Sequence, residues 1–332
     1  MMRNSVRPIG LATVASALAF LTAAVFPAFP ASPAFSAAGQ DGPELTRTVA
    51  AEPPADCALF RDKPELDAQR EDISAQLAEL PVADVAAWIA GVTGPPQRIR
   101  EELVRQVECL SAQVAAATDT PAGTNVVVSW RRDAAAQRSI WDSRYEFHRG
   151  RGRFGIITDA SREHCGELVG EAAEWDTAND QHAQCWASLP AELKQVEILR
   201  LSTAPGTSRH HTGTEVDLFS TSPSEWADGG SRQRHHRWLQ ANAASYGFVQ
   251  PYTPVESRPK PAIAEERWHW SYYPVSQALL KFTKEHEDAI TEQHTRLWAY
   301  DPERFSYIGR HWRDYAYHVN QEPSFGSERS RR

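Results

Sequence analysis

The chain has 332 residues and only four cysteines, none of them in a CxxC pair, which leaves a cysteine-based zinc site with little support. It has no run of lysine and arginine interleaved with aromatics, and its formal net charge is −8, which argues against nucleic acid as a partner. Beyond residue 38 no segment is apolar for long enough to span a membrane, so the mature protein is expected to have no transmembrane domain. Internal repeats are absent, and so is a regular βαβ alternation. Short strands among separate helices therefore argue for an α+β fold.

With 41% hydrophobic residues the chain can bury one large core with additions, or two modest ones. Residues 1–38 stand apart: Arg3 and Arg7 precede a charge-free apolar run from Ile9 to Phe29, and small residues follow. This is the order of a secretory signal peptide, with cleavage expected near Ser36 or Ala38 and an uncleaved anchor as the alternative. In an exported chain four cysteines favour two disulfides, and pairing of neighbours joins Cys57 to Cys109 and Cys165 to Cys185; spacing alone leaves the other pairings open.

Residues 39–56 read as a linker. Residues 57–120 read as three helices: Asp62 can cap the first, Pro64 fits its first turn, the second spans about Val82 to Val92, and the third about Pro96 to Ala117. The pattern changes at Asn125. NVVVSW, EILRLS (197–202), TEVDLF (214–219) and ERWHWSYY (266–273) read as strands; the stretch after Trp130 and residues 231–245 read as helices. Residues 148–195 look like an insertion, and 274–332 like a helical extension.

A catalytic zinc site needs three protein ligands, an open position and a nearby base. In SRHHTGTEVDLF, His210 and Asp217 flank Gly213, which permits a tight turn, and Asp217 shares a strand face with Glu215 away from Val216 and Leu218. Downstream, Glu266 precedes His269 by three residues, a spacing that requires a bend if the two are to cooperate, with Trp268 and Trp270 expected to wall the site. Of the adjacent pair, His211 is expected to face away, and His235 and His236 read as solvated on a charged helix.

SxHxxGxxxD followed by ExWH resembles the VanY-like D-alanyl-D-alanine carboxypeptidase family of zinc peptidases. Ser129, Trp130, Arg131, Arg132 and Gln137 match a further family element, SGYR with a glutamine five residues on, and the similarity runs from about Asn125 to Tyr273. The resemblance implies a small antiparallel sheet with flanking helices, of the hedgehog and DD-peptidase type, occupying residues 121–273. It implies Zn2+ as cofactor, held by His210, Asp217 and His269, with Glu266 as general base. It also implies that Arg132 stabilises an oxyanion or clamps a substrate carboxylate, with Ser208, Gln137 and Trp268 beside the substrate. The expected substrate is a peptidoglycan stem peptide, cleaved outside the cytoplasm. Cross-bridge endopeptidase action and an inactive zinc-stabilised binding module are the alternatives. Two departures stand out: Trp130 replaces a glycine and Glu215 an alanine, each expected to reshape the pocket.

Overall fold

The computed structural model describes residues 56–150, 152–261 and 263–325. The expected signal peptide, and the linker up to Ala55, lie outside the described residues. No helix among the described residues is long and apolar enough to cross a membrane.

The chain opens with α1 (Lys63–Ala78), α2 (Val82–Ile89) and α3 (Gln97–Ala117). Asp62 caps α1 by accepting the Glu65 N–H, and Pro64 sits in the first turn, where its missing donor costs nothing. Next come β1 (Val127–Ser129) and α4 (Ala134–Tyr145), then the inserted region with β2 (Arg153–Phe154), α5 (Asp159–Cys165), β3 (Trp175–Asp176), α6 (Asp180–Ser188) and α7 (Ala191–Ile198). The chain continues through β4 (Glu215–Leu218), α8 (Pro223–Trp226), α9 (Gln233–Asn242), β5 (Phe248–Val249) and β6 (His269–Tyr272). It ends with α10 (Tyr273–Glu285), α11 (Glu287–Trp298) and α12 (Ser306–Tyr317).

The architecture is α+β. A four-stranded antiparallel sheet in the order β1-β4-β6-β5 lies among the helices, and β2 and β3 form a separate two-stranded ladder. On β4 and β6 the alternation is strict: Val216, Leu218, Trp270 and Tyr272 point into a core shared with α1, α3, α9 and α10, which leaves Glu215, Asp217, His269 and Ser271 on the opposite face. Trp270 therefore belongs to the core and does not wall the site. The terminal helices close on each other, α1 packing along α10, and Tyr273 Oη donates to Asp67 at 2.7 Å.

A second core joins the insertion to α4, α7, α11 and α12. Phe147, Phe154, Trp175 and Trp186 meet there mostly edge to face, with centroids 5.0–6.2 Å apart. Glu197, fully buried, gathers the region by accepting from Ser161 Oγ, Thr158 Oγ1 and Trp175 Nε1. Both disulfides join neighbours in sequence, Cys57–Cys109 and Cys165–Cys185. Loops of 52 and 20 residues correspond to about 3–4 kcal/mol of stabilisation each in the chain-entropy account.

Two expectations need correction. EILRLS is not a strand: the helix-forming run AELKQ carries α7 through Ile198, and a turn follows. His235 and His236 are not solvated, being 7% and 5% exposed; His235 packs on Phe219 and His236 meets Gln250.

Burial of neutral histidines sets an acid limit on the fold. His294 is 2% exposed, its Nε2 donates to Gly206 O at 3.0 Å, and burial pushes its imidazole down to about 4. An unfolded chain takes up this proton near pH 6.5 and the folded chain only near 4, so the stability contributed by His294 is full above pH 6.5 and is lost as the pH falls through that window, by about 3 kcal/mol in all. Urea unfolding across pH 7 to 4 should show this fall, and His294→Gln should make it shallower.

Candidate metal centre

The site is built where β4 meets β6. Register places Asp217 directly opposite His269 and Glu215 opposite Ser271, while Ser129 of β1 flanks Asp217 from the other side. His210 arrives from the tight turn Arg209–Thr212, which ends at Gly213 with φ +76°, a left-handed conformation that glycine adopts without strain. This turn is tied to the end of β1 by Arg132 N–H donating to His210 O at 3.0 Å and by Trp130 Nε1 donating to Gly213 O at 2.8 Å. Trp130 is thus turned into the scaffold and does not reshape the cleft. Its carbonyl meets His210 Nδ1 at 2.7 Å, so Nδ1 carries the proton and Nε2 is left with its lone pair.

His210, Asp217 and His269 each offer one ligand atom within 4.8 Å of the others, and all three are buried. His210 Nε2 is 3.4 Å from Asp217 Oδ2, and His269 Nδ1 is 2.9 Å from Asp217 Oδ1. Despite that approach, Asp217 Oδ1 makes no hydrogen bond. A buried carboxylate with an imidazole nitrogen facing each of its oxygens, one of them without a hydrogen bond, is a cluster that a divalent cation would complete. Two nitrogens and one oxygen, with room left for water, are the donor set of a catalytic zinc site. Electrostatics point the same way. Burial disfavours the charged Asp217, yet His210 and His269 hold its carboxyl well below the usual range; burial likewise disfavours charge on His269, yet Asp217 and Glu215 raise it.

Glu266 lies on the approach to β6. Its N–H donates to Tyr252 O, and a turn through Arg267 and Trp268, closed by His269 N–H donating to Glu266 O at 3.3 Å, bends the chain so that Glu266 Oε2 comes 3.4 Å from His269 Nδ1. Burial pushes the Glu266 carboxyl up to about 7, with Asp217 adding to the rise and His269, Arg144 and Arg132 opposing it.

These groups open into a cleft of about 720 Å³. Trp268 and Ser208 line it. Arg132 is held by Gln137, which accepts its Nη1 at 2.6 Å, and by Ser129 Oγ. Gln137 spends its amide on Thr203 O and Ser202 Oγ, so it positions the arginine and has no donor left for a substrate. His211 turns away: Nδ1 meets Arg132 O at 2.6 Å and Nε2 accepts from Gly206 N.

Several cleft residues escaped the sequence reading. Arg144 projects from the same face of α4 as Gln137 and Ile140, a helical i, i+3, i+7 spacing that was there to be read. Burial lowers its guanidinium to about 10, and neither it nor Arg132 has a carboxylate within ion-pair distance among the described residues. The second is Tyr252, whose ring lies 4.8 Å from that of His269. Arg153 of β2 and Glu174, which precedes β3, also line the cleft and carry no local sequence signal.

A model of the VanY D-alanyl-D-alanine carboxypeptidase family matches residues 96–275, more than half of the chain. The chain belongs to the VanY family. The VanY match begins at residue 96 and so takes in α3. An uncharacterized protein of Haemophilus influenzae is 32% identical over 81 residues, 21% of this chain and 60% of its own length. A D-alanyl-D-alanine carboxypeptidase of Enterococcus faecalis is 32% identical over 76 residues, 22% of this chain and 25% of its own. The chain thus spans less than two thirds of either relative. Among solved structures, VanYB in complex with D-alanine-D-alanine gives a TM-score of 0.28 at 20% identity, covering 55% of this chain and 76% of that one. The LD-carboxypeptidase LdcB gives 0.29 at 18%, covering 58% and 72%.

Metal binding to this centre should appear as stability. Zinc at 100 times its dissociation constant should add about 2.7 kcal/mol to unfolding, read as a rise in thermal midpoint. His210→Ala should abolish the rise.

Proposed function

We propose that the protein is an exported zinc metallopeptidase that removes the terminal D-alanine from peptidoglycan stem peptides. The observation that carries this reading is Glu266, a buried carboxylate beside the three-donor cluster, its carboxyl raised to about 7, at the base of a cleft holding two guanidiniums without carboxylate partners. A purely structural zinc site has no use for such a base and prefers four protein ligands.

A zinc ion held by His210, Asp217 and His269 would supply Lewis-acid polarisation of the scissile carbonyl, a lower pKa for the attacking water and a positive charge beside Glu266 that favours its ionised form. Glu266 Oε takes the proton of the attacking water and returns it to the leaving amine. Trp268 and Tyr252 exclude bulk water from this transfer. Arg132, whose charge Asp217 and Glu266 favour, is assigned the developing oxyanion; Arg144, whose charge Glu266 favours, is assigned the substrate's terminal carboxylate. The amino-terminal segment fits export, and the two disulfides fit an oxidising compartment.

Digestion of purified stem pentapeptides with zinc-loaded protein, followed by mass spectrometry, tests this. Loss of one D-alanine is expected, and release of cross-linked fragments would instead indicate an endopeptidase. Glu266→Ala should retain zinc and lose hydrolysis by at least about 100-fold, the scale of general-base catalysis; an unchanged rate would sink the mechanism. Arg144→Gln should raise KM by roughly 10- to 100-fold with kcat little changed, whereas Arg132→Gln should lower kcat.

A further inference from the structure

His269 is gripped from two sides by carboxylates of the neighbouring strand. Asp217, its direct partner across β4 and β6, faces Nδ1, while Glu215, two residues earlier on the same face, reaches diagonally to Nε2 at 2.9 Å. Glu215 is 0% exposed, and both its oxygens are occupied. Oε2 takes the imidazole; Oε1 accepts Ser271 Oγ at 2.7 Å and Thr214 Oγ1 at 2.9 Å, and pairs with Arg209 Nη2 at 2.9 Å. Arg209 Nη2 also donates to Ser271 Oγ at 2.8 Å, so the carboxylate has one position open to it.

We propose that Glu215 is a positioning residue for the metal centre: it accepts the Nε2–H of His269, and so fixes the ring with Nδ1 toward the ion. This rests on the reading of His269 as a zinc ligand. At position 215, where the resemblance expects alanine, the buried charge is offset by Arg209 and by hydrogen bonds from Ser271 and Thr214. The pocket-reshaping role expected of Glu215 does not follow, because the carboxylate lies behind His269, on the side of the ring away from Nδ1 and the other ligand atoms. A ligating histidine whose second nitrogen is held by a carboxylate is a stronger and better-oriented ligand, and loss of such a partner lowers metal affinity by about 10- to 100-fold.

The test measures zinc affinity of the full chain by chelator competition, with Glu215→Ala, Glu215→Gln and His210→Ala compared to the unaltered protein. If the unaltered chain fails to bind zinc, or His210→Ala binds as tightly, the metal reading itself fails. If zinc binds and His210→Ala abolishes binding, Glu215→Ala should weaken affinity by about 10- to 100-fold, with Glu215→Gln intermediate because its carbonyl still accepts from Nε2. Affinity for Glu215→Ala within twofold of the original would overturn the proposal. A second measurement avoids any folding defect in the variants: long-range nitrogen–proton NMR correlations on the unaltered zinc-loaded protein should show His269 protonated at Nε2 and ligated through Nδ1. Ligation through Nε2 would equally overturn it.

Discussion

The antiparallel pairing of β4 with β6 is the constraint on which the site depends. Two residues of one strand and two of the other, Glu215 with Asp217 and His269 with Ser271, are forced onto one face because the alternate positions, Val216, Leu218, Trp270 and Tyr272, are held in the core. A slip of one residue would bury the acids against Leu and Trp and expose the core face, so the hydrophobic alternation fixes the register and the register brings the candidate donors together. Everything else at the centre is brought to this pair: His210 by a turn ending at Gly213, Glu266 by a bend before β6, Arg132 by the end of β1.

The remaining parts of the chain act on the cleft more than on the centre. The insertion, stapled by Cys165–Cys185 and gathered around Glu197, contributes Arg153 and Glu174 to the lining of the cleft. Helix α4 delivers Gln137 and Arg144 from one face, the first anchoring Arg132 and the second standing as a further buried cation. A cleft that is acidic at the donor cluster and cationic beside it suits a substrate with a carbonyl to be polarised and a free carboxylate nearby.

Much of this was legible in the sequence because it is local. Caps, prolines and β-branched runs marked α1 to α3, β1 and β4, and the alternation along TEVDLF already placed Asp217 opposite the apolar face. The bend between Glu266 and His269 followed from their spacing once the two were taken to cooperate. What could not be read is what depends on long-range packing. The run EILRLS has a strand-like composition, but the helix-forming residues before it and the inward demand of Glu197 make it helical through Ile198. His235 and His236 looked solvated on a charged helix, yet their neighbours Phe219 and Gln250 come from elsewhere in the chain. Trp130 looked like a pocket residue until its partner, Gly213, 83 residues on, was known. Glu215 stood out only as a departure; its partner Arg209 was six residues away, but the diagonal reach to His269 needs the strand register.

The central claim is that the buried imidazoles and carboxylate of His210, Asp217 and His269 form a metal centre. X-ray absorption at the zinc edge of the loaded protein tests it most directly. The account predicts one zinc per chain with nitrogen and oxygen neighbours at about 2.0–2.1 Å and no sulfur, a signature that disappears in Asp217→Ala. Sulfur in the first coordination sphere, or an unchanged spectrum and stoichiometry in that variant, would contradict it.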